Sequence, residues 1–172
     1  SQNWFRKRVS SLKPNRNALM KEEPVQLKTR TIAGNMYMFF YDPKHKATLP
    51  FYDSFPLVIP VKPVAGGFHG LNLHYLPPAL RAKFLDALLS NLNNRMYDES
   101  TRFKINYEML QRAATLKYFK PCYKHYLNKH VKSRFAMIES PEWEIATFLP
   151  TADFQKSSRA SVYSDSRRKI NG

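Results

Sequence analysis

Between Pro121 and Met137 the chain carries Lys124, Lys129, Lys132 and Arg134 and no acidic residue. Ammonium and guanidinium groups gathered on one short stretch are what holds phosphate oxygens, and Asn128 lies among them as a neutral donor. Such contacts fix position on a nucleic acid without reading its bases. The plain alternative is an amphipathic element whose basic side is simply solvated. Two more clusters have the same character: Arg6, Lys7, Arg8, Lys13 and Arg16 near the beginning, and Arg159, Arg167, Arg168 and Lys169 near the end. Flexible basic arms of this kind order against a polyanion, or else serve as solubility tails. A last pair, Lys44 and Lys46, sits with His45 in a loop flanked by Tyr41, Phe51 and Tyr52. Those rings can stack on bases or pin the loop to a core.

The whole composition points the same way. In 172 residues there are 28 Lys and Arg against 13 Asp and Glu, a net charge of +15. A field of that size repels itself in the folded state, so a polyanionic partner is the natural reason to keep it. Nucleic acid is the first candidate and an anionic membrane surface the second. The surplus is uneven: residues 1–34 carry eight bases and two acids, residues 35–76 three and two, and residues 138–154 four acids and no base. A nearly neutral centre with basic flanks fits a structured domain with basic arms.

Catalytic signatures are thin. There is no phosphate-binding loop, no serine elbow, no paired-histidine zinc motif and no CxxC spacing. The five histidines show no ligand spacing, so no metal or other cofactor is expected. Cys122 is the single cysteine; it cannot form an internal disulfide and reads as a buried thiol, which suits a reducing cytosol. A nuclease-like fragment remains, Asp42-Pro43-Lys44 after an apolar strand with Asp53 further on. Metal-dependent phosphodiester cleavage needs paired carboxylates, and no second acid lies close to Asp42.

The elements that must position these groups follow from periodicity. Residues 3–12 can form a short helix and residues 13–34 an extended arm. Met36–Tyr41 is a short apolar, aromatic run that predicts a buried strand. Phe55–Val61 is a second strand, confined to an edge or shortened by Pro56 and Pro60. Gly66-Gly67 marks a turn into a third strand over 68–76. Leu80, Phe84, Leu85, Leu88, Leu89 and Leu92 recur at helical spacing and predict a helix over 78–93, with Arg81, Lys83 and Asp86 on its polar side. A further strand over 102–107 and a helix over 107–117 follow. Pro121 is expected to open a helix through about Arg134, striped by Tyr123, Tyr126, Leu127, His130 and Val131. Pro141-Glu142-Trp143-Glu144 starts another helix, with Phe148, Leu149 and Phe154 as the last core anchors. From Gln155 onward a loose basic tail is expected. The expected fold is α+β: a small antiparallel sheet or partly open barrel packed with three or more helices, with basic N- and C-terminal arms. The expected division is an arm over 1–34, a single domain over 35–154 and a tail over 155–172.

Particular strings in this domain have a family look. Met36-Tyr-Met-Phe-Phe-Tyr-Asp-Pro-Lys-His-Lys, Leu49-Pro-Phe-Tyr-Asp-Ser-Phe-Pro-Leu-Val and Gly70-Leu-Asn-Leu-His-Tyr-Leu-Pro-Pro resemble a block in the DNA end protector proteins of T-even-like bacteriophages. Phe119-Lys-Pro-Cys-Tyr-Lys-His-Tyr-Leu and Trp143-Glu-Ile-Ala-Thr-Phe-Leu-Pro are similar as well, so the resemblance runs from about residue 35 to 170. It implies a late protein that travels with the packaged genome, sits at the DNA terminus and shields it from host exonuclease after injection. It also implies a link to completing the filled head before tail joining. It carries over no catalytic residue.

The leading expectation is therefore binding to double-stranded DNA ends without sequence specificity, in the phage head or neck and later in the host cytoplasm, with no membrane partner and no enzymatic activity. A structural neck or connector component touching portal or neck proteins is the alternative, and a metal-dependent nuclease the third reading.

Overall fold

The computed structural model describes residues 26–92, 96, 98, 101, 107–112 and 119–171. The expected N-terminal helix with Arg6, Lys7, Arg8, Lys13 and Arg16, and most of the expected 102–107 strand, lie outside the described residues.

Strands β1 (Gln26–Lys28), β2 (Met36–Met38), β4 (Leu57–Val64), β5 (Gly67–Asn72), β6 (Tyr123–Leu127) and β7 (Phe135–Ile138) form one antiparallel sheet in the order β1-β7-β2-β4-β5-β6. The sheet stays open, with β1 and β6 at its ends. A small second sheet pairs β3 (Tyr52–Asp53) with β8 (Phe154–Gln155). The helices are α1 (Pro78–Leu92), α2 (Trp143–Phe148) and α3 (Arg159–Asn171), with a further helical stretch at 107–112. The α+β class read from the sequence holds.

The aromatic run in β2 is apolar at every position because both faces of the sheet are covered. Side chains alternate across a strand: Met36 and Met38 join the larger core with Leu57, Ile59, Leu71 and the helices. Tyr37 and Phe39 join a second, aromatic core with Phe68, Tyr126 and Phe135. Phe39 sits at its middle, edge-on to Phe135 at 5.0 Å and to Tyr126 at 5.4 Å, the favoured arrangement for ring quadrupoles.

Strand β4 is interior, not an edge: β2 pairs on one side and β5 on the other. It tolerates its prolines because β2 pairs only through Val58 and Leu57, and the ladder shifts register between Pro60 and Lys62. A proline at a bulge removes no ladder donor, and the Pro60 carbonyl accepts from Gly34 N at 3.0 Å. The expected turn forms at residues 65–66, with Gly66 at φ +75, and Gly67 is the first residue of β5. At Gly67 a Cβ would stand 1.9 Å from the Tyr126 carbonyl oxygen, so only glycine lets β5 and β6 approach. Strand β5 stops at Asn72, short of Leu76, because the Asn72 side chain accepts from His74 N at 3.0 Å and caps a 3-10 turn over Leu73–Tyr75.

The expected 121–134 helix is absent. Residues 123–127 are strand β6, paired along β5 from Leu71↔Tyr123 to Gly67↔Leu127, and a 3-10 turn follows at Asn128–His130. The expected loose tail is also corrected: residues 159–171 form α3, whose Val162 is fully buried. Part of the expected N-terminal arm, residues 26–28, is strand β1 on β7. Phe148, expected as a core anchor, is 44% exposed, whereas Leu149 is buried.

Two buried polar nodes tie the layers. Asp53 Oδ2 lies 2.6 Å from His74 Nδ1 and 3.1 Å from the Asn72 amide, while its Oδ1 accepts from Phe55 N and Asp153 N. Burial raises the Asp53 carboxyl pKa, but His74 and these donors together hold it below the usual range. Arg81, expected on the polar side of α1, is buried instead. It donates to the carbonyls of Leu76, Thr147 and His74 and to the Tyr163 hydroxyl at 2.6 Å. One guanidinium thus joins α1, the 3-10 turn, α2 and α3. Cys122 is fully buried, and burial pushes its thiol up to about 12.

Candidate nucleic-acid interface

Two connecting segments, 29–33 after β1 and 128–133 after β6, lie against the aromatic side of the sheet. The first is tied down by Ile32 N, which donates to the Tyr37 hydroxyl at 2.9 Å. The second is held at several points: Leu127 N donates to the Tyr41 hydroxyl at 2.9 Å, Tyr41 bridges Val131, and Lys132 N donates to the Phe40 carbonyl at 2.8 Å. Ser133 Oγ accepts from Phe40 N at 2.9 Å. Between the segments runs a groove of about 740 Å³, lined also by the end of β4 and the start of β5. Arg30 and Lys62 supply its cations, Thr29 and Asn128 are among its polar side chains, and Phe68 and Phe135 contribute to its apolar lining.

The stretches that build this groove, 26–34, 60–70 and 121–137, contain no Asp or Glu. Lys28, Arg30, Lys62, Lys129, Lys132 and Arg134 are all exposed on them. Beside the groove, Lys62, His69 and His125 are cross-strand partners on β4, β5 and β6. The two rings are 5.0 Å apart, and His69 Nδ1 lies 2.5 Å from the Tyr123 hydroxyl. Burial, then the neighbouring His125 and Lys62, depress the pKa of His69. The Lys44–Lys46 turn joins the same neighbourhood, since Asp42 N donates to the His130 carbonyl at 3.0 Å. Lys44 is exposed, while Lys46 is paired with Asp42 at 2.9 Å. Lys156 braces this turn from the far side of the chain, its ammonium donating to the carbonyls of Lys46, Ala47 and Leu49.

Of the sequence-predicted contacts, Asn128, Lys129, Lys132 and Arg134 are thus exposed along one segment, with the 44–46 turn adjacent. Lys124 is not among them. It lies on β6, with its Nζ 4.0 Å over the Tyr75 ring. Burial, then the nearby Lys169, lowers it to about 8. Arg167 and Arg168 are exposed on α3, which packs on the 73–75 turn. Neither lines the groove, and Arg168 pairs with Asp165 at 3.1 Å. The flanking rings pin rather than stack: Tyr41 is buried and Phe51 packs 6.1 Å from Tyr75. Sequence reasoning missed Arg30 and Lys62. The available signal was the lack of acids in three separate stretches, which only the strand order brings together.

The nuclease fragment does not assemble. Asp53 is locked in its buried cluster with His74 and Asn72, and Asp42 faces Lys46. Among the described residues no group of three His, Cys, Asp or Glu side chains is placed to hold a metal. No helix among them is long and apolar enough to cross a membrane.

A family model described as the phage T4 terminal DNA protecting protein matches residues 1–170. The chain belongs to that family. No curated protein and no solved structure matches it.

Proposed function

We propose that this member of the terminal DNA protecting family binds the ends of linear duplex DNA through phosphate contacts on the acid-free surface around the groove, and protects them by occlusion. The observation that carries this is the exposure of Lys28, Arg30, Lys62, Lys129, Lys132 and Arg134 on stretches free of acids. Such a surface lowers the free energy of any phosphate backbone, whatever its sequence. The protein then travels in the virion with the packaged genome and acts in the host cytoplasm once the DNA is injected. No step of this role requires bond-breaking by the protein.

The test is purified full-length protein with an exonuclease, on linear and on nicked circular DNA, across a salt series. Degradation of the linear DNA should slow while that of the nicked circle is unaffected. If six to ten phosphates are neutralised, affinity should fall by roughly three to five decades between about 50 and 200 mM salt. Lys129→Glu, Lys132→Glu and Arg134→Glu together should weaken binding and flatten the salt dependence, with thermal unfolding changed by less than about 1 kcal/mol because all three are exposed. Equal protection of nicks and ends, or unaltered degradation of linear DNA, overturns the reading.

A further inference from the structure

A surface that only tracks phosphates needs neither depth nor an apolar lining, and the groove between 29–33 and 128–133 has both. Its volume of about 740 Å³ lies in the range of sites that enclose a small ligand, roughly 300–1,000 Å³. Its lining is of two kinds. Arg30 and Lys62 are exposed cations with no ion-pair partner among the described residues, and Thr29 and Asn128 add neutral hydrogen-bonding groups beside them. Phe68 and Phe135, only 4% and 7% exposed, form its floor at the surface of the aromatic core, and Ile32, 60% exposed, is among the large apolar side chains open to solvent in the described residues. An anion attached to a flat apolar body matches such a site; an acidic side chain or a free phosphate uses only half of it. On a linear duplex, an unpaired residue at the terminus has this character, since terminal pairs fray and internal ones stay stacked.

Building on the proposed end-binding role, we infer that the groove receives the unpaired terminal nucleotide of a DNA end, with its phosphate on Arg30 and Lys62 and its base against Ile32, above the floor that Phe68 and Phe135 form. The cations outside the groove hold the adjoining duplex. Preference for ends over internal sites then arises from the groove, and general affinity from the surface around it.

The experiment uses the full chain and duplexes carrying 2-aminopurine as a fluorescent base. The base is placed in a one-nucleotide 5′-phosphorylated overhang, in a one-nucleotide 3′ overhang, or in the duplex interior, and a companion duplex has hairpin-capped ends. Binding should change the emission of an overhanging base, on one strand polarity or both, and leave the interior base unaltered. Open ends should bind at least about tenfold tighter than capped ones, a difference of about 1.4 kcal/mol. Arg30→Ala with Lys62→Ala should bring that ratio close to one; binding to capped duplex should weaken as well, by the loss of two surface cations, but be retained through Lys28, Lys129, Lys132 and Arg134. Ile32→Ser should shrink the emission change without altering charge. Melting curves of these surface variants should overlay the parent. Unchanged emission at both overhangs, with open ends still bound more tightly than capped ones, overturns the groove assignment and leaves the end-binding role to other surfaces; equal affinity for open and capped ends overturns both. Absence of binding to every duplex overturns the end-binding role itself.

Discussion

A lysine held over a phenol ring titrates differently from one in water. Lys124 sits against Tyr75 and, through burial and the nearby Lys169, has its pKa lowered from 10.5 to about 8. Between those two values the unfolded chain keeps a proton that the folded protein has released. Stability therefore rises with pH across that window, and below about pH 8 the full penalty of burying the charge is present. Lys124→Met keeps the stem against the ring and removes the charge. Chemical-denaturation midpoints measured from pH 7 to 10.5 should rise for the parent and be flatter for the variant. A like slope in both would mean that the ammonium is not desolvated. The same residue marks a limit of sequence reading: a basic side chain looks identical on paper whether it meets solvent or a ring, and only Lys129, Lys132 and Arg134 of that stretch meet solvent.

Among elements, those fixed by local pattern were legible and those fixed by distant partners were not. The leucine spacing of α1 and the apolar run of β2 specify themselves. The 123–127 stretch does not, since Tyr123, Tyr126, Leu127, His130 and Val131 fit a helical stripe. Its conformation is set by pairing with β5, some fifty residues earlier in the chain, and loss of the helix also dissolved the single basic face it would have carried. Gly67 is the hinge of that pairing. Gly67→Ala drives a Cβ against the Tyr126 carbonyl, backbone that cannot rotate away, so β5 and β6 must part. We expect a cost of about 1–3 kcal/mol or more, read as a lower urea midpoint. DNA affinity should weaken too, because Asn128 N is anchored on the Gly66 carbonyl at the groove's edge.

At the scale of the molecule, the C-terminal stretch was expected to be a loose tail because its composition is polar and basic. It folds as α3 through very few side chains: Val162 fills a fully buried seat and Tyr163 closes the ring of acceptors around Arg81. Sparse anchoring of this kind leaves little periodic signal. Removing residues 159–172 should cost about 3–6 kcal/mol, from one buried aliphatic side chain and one hydrogen bond to a charged group. A thermal melt that shifts little on removal would show that the Arg81 node stands without α3. The groove lies elsewhere, so a truncated chain that still folds should keep its preference for DNA ends.

Cys122 offers a clock for this architecture. As a sealed thiol with its pKa raised to about 12, it is withheld from alkylating and disulfide reagents until the layers around it separate, because the thiolate is the reacting species. With no second cysteine to complicate the kinetics, the labelling rate in native buffer reports how often the core opens. DNA held on the folded form should slow that reaction in proportion to occupancy, turning one hidden sulfur into a gauge of ligation that needs no dye on the nucleic acid.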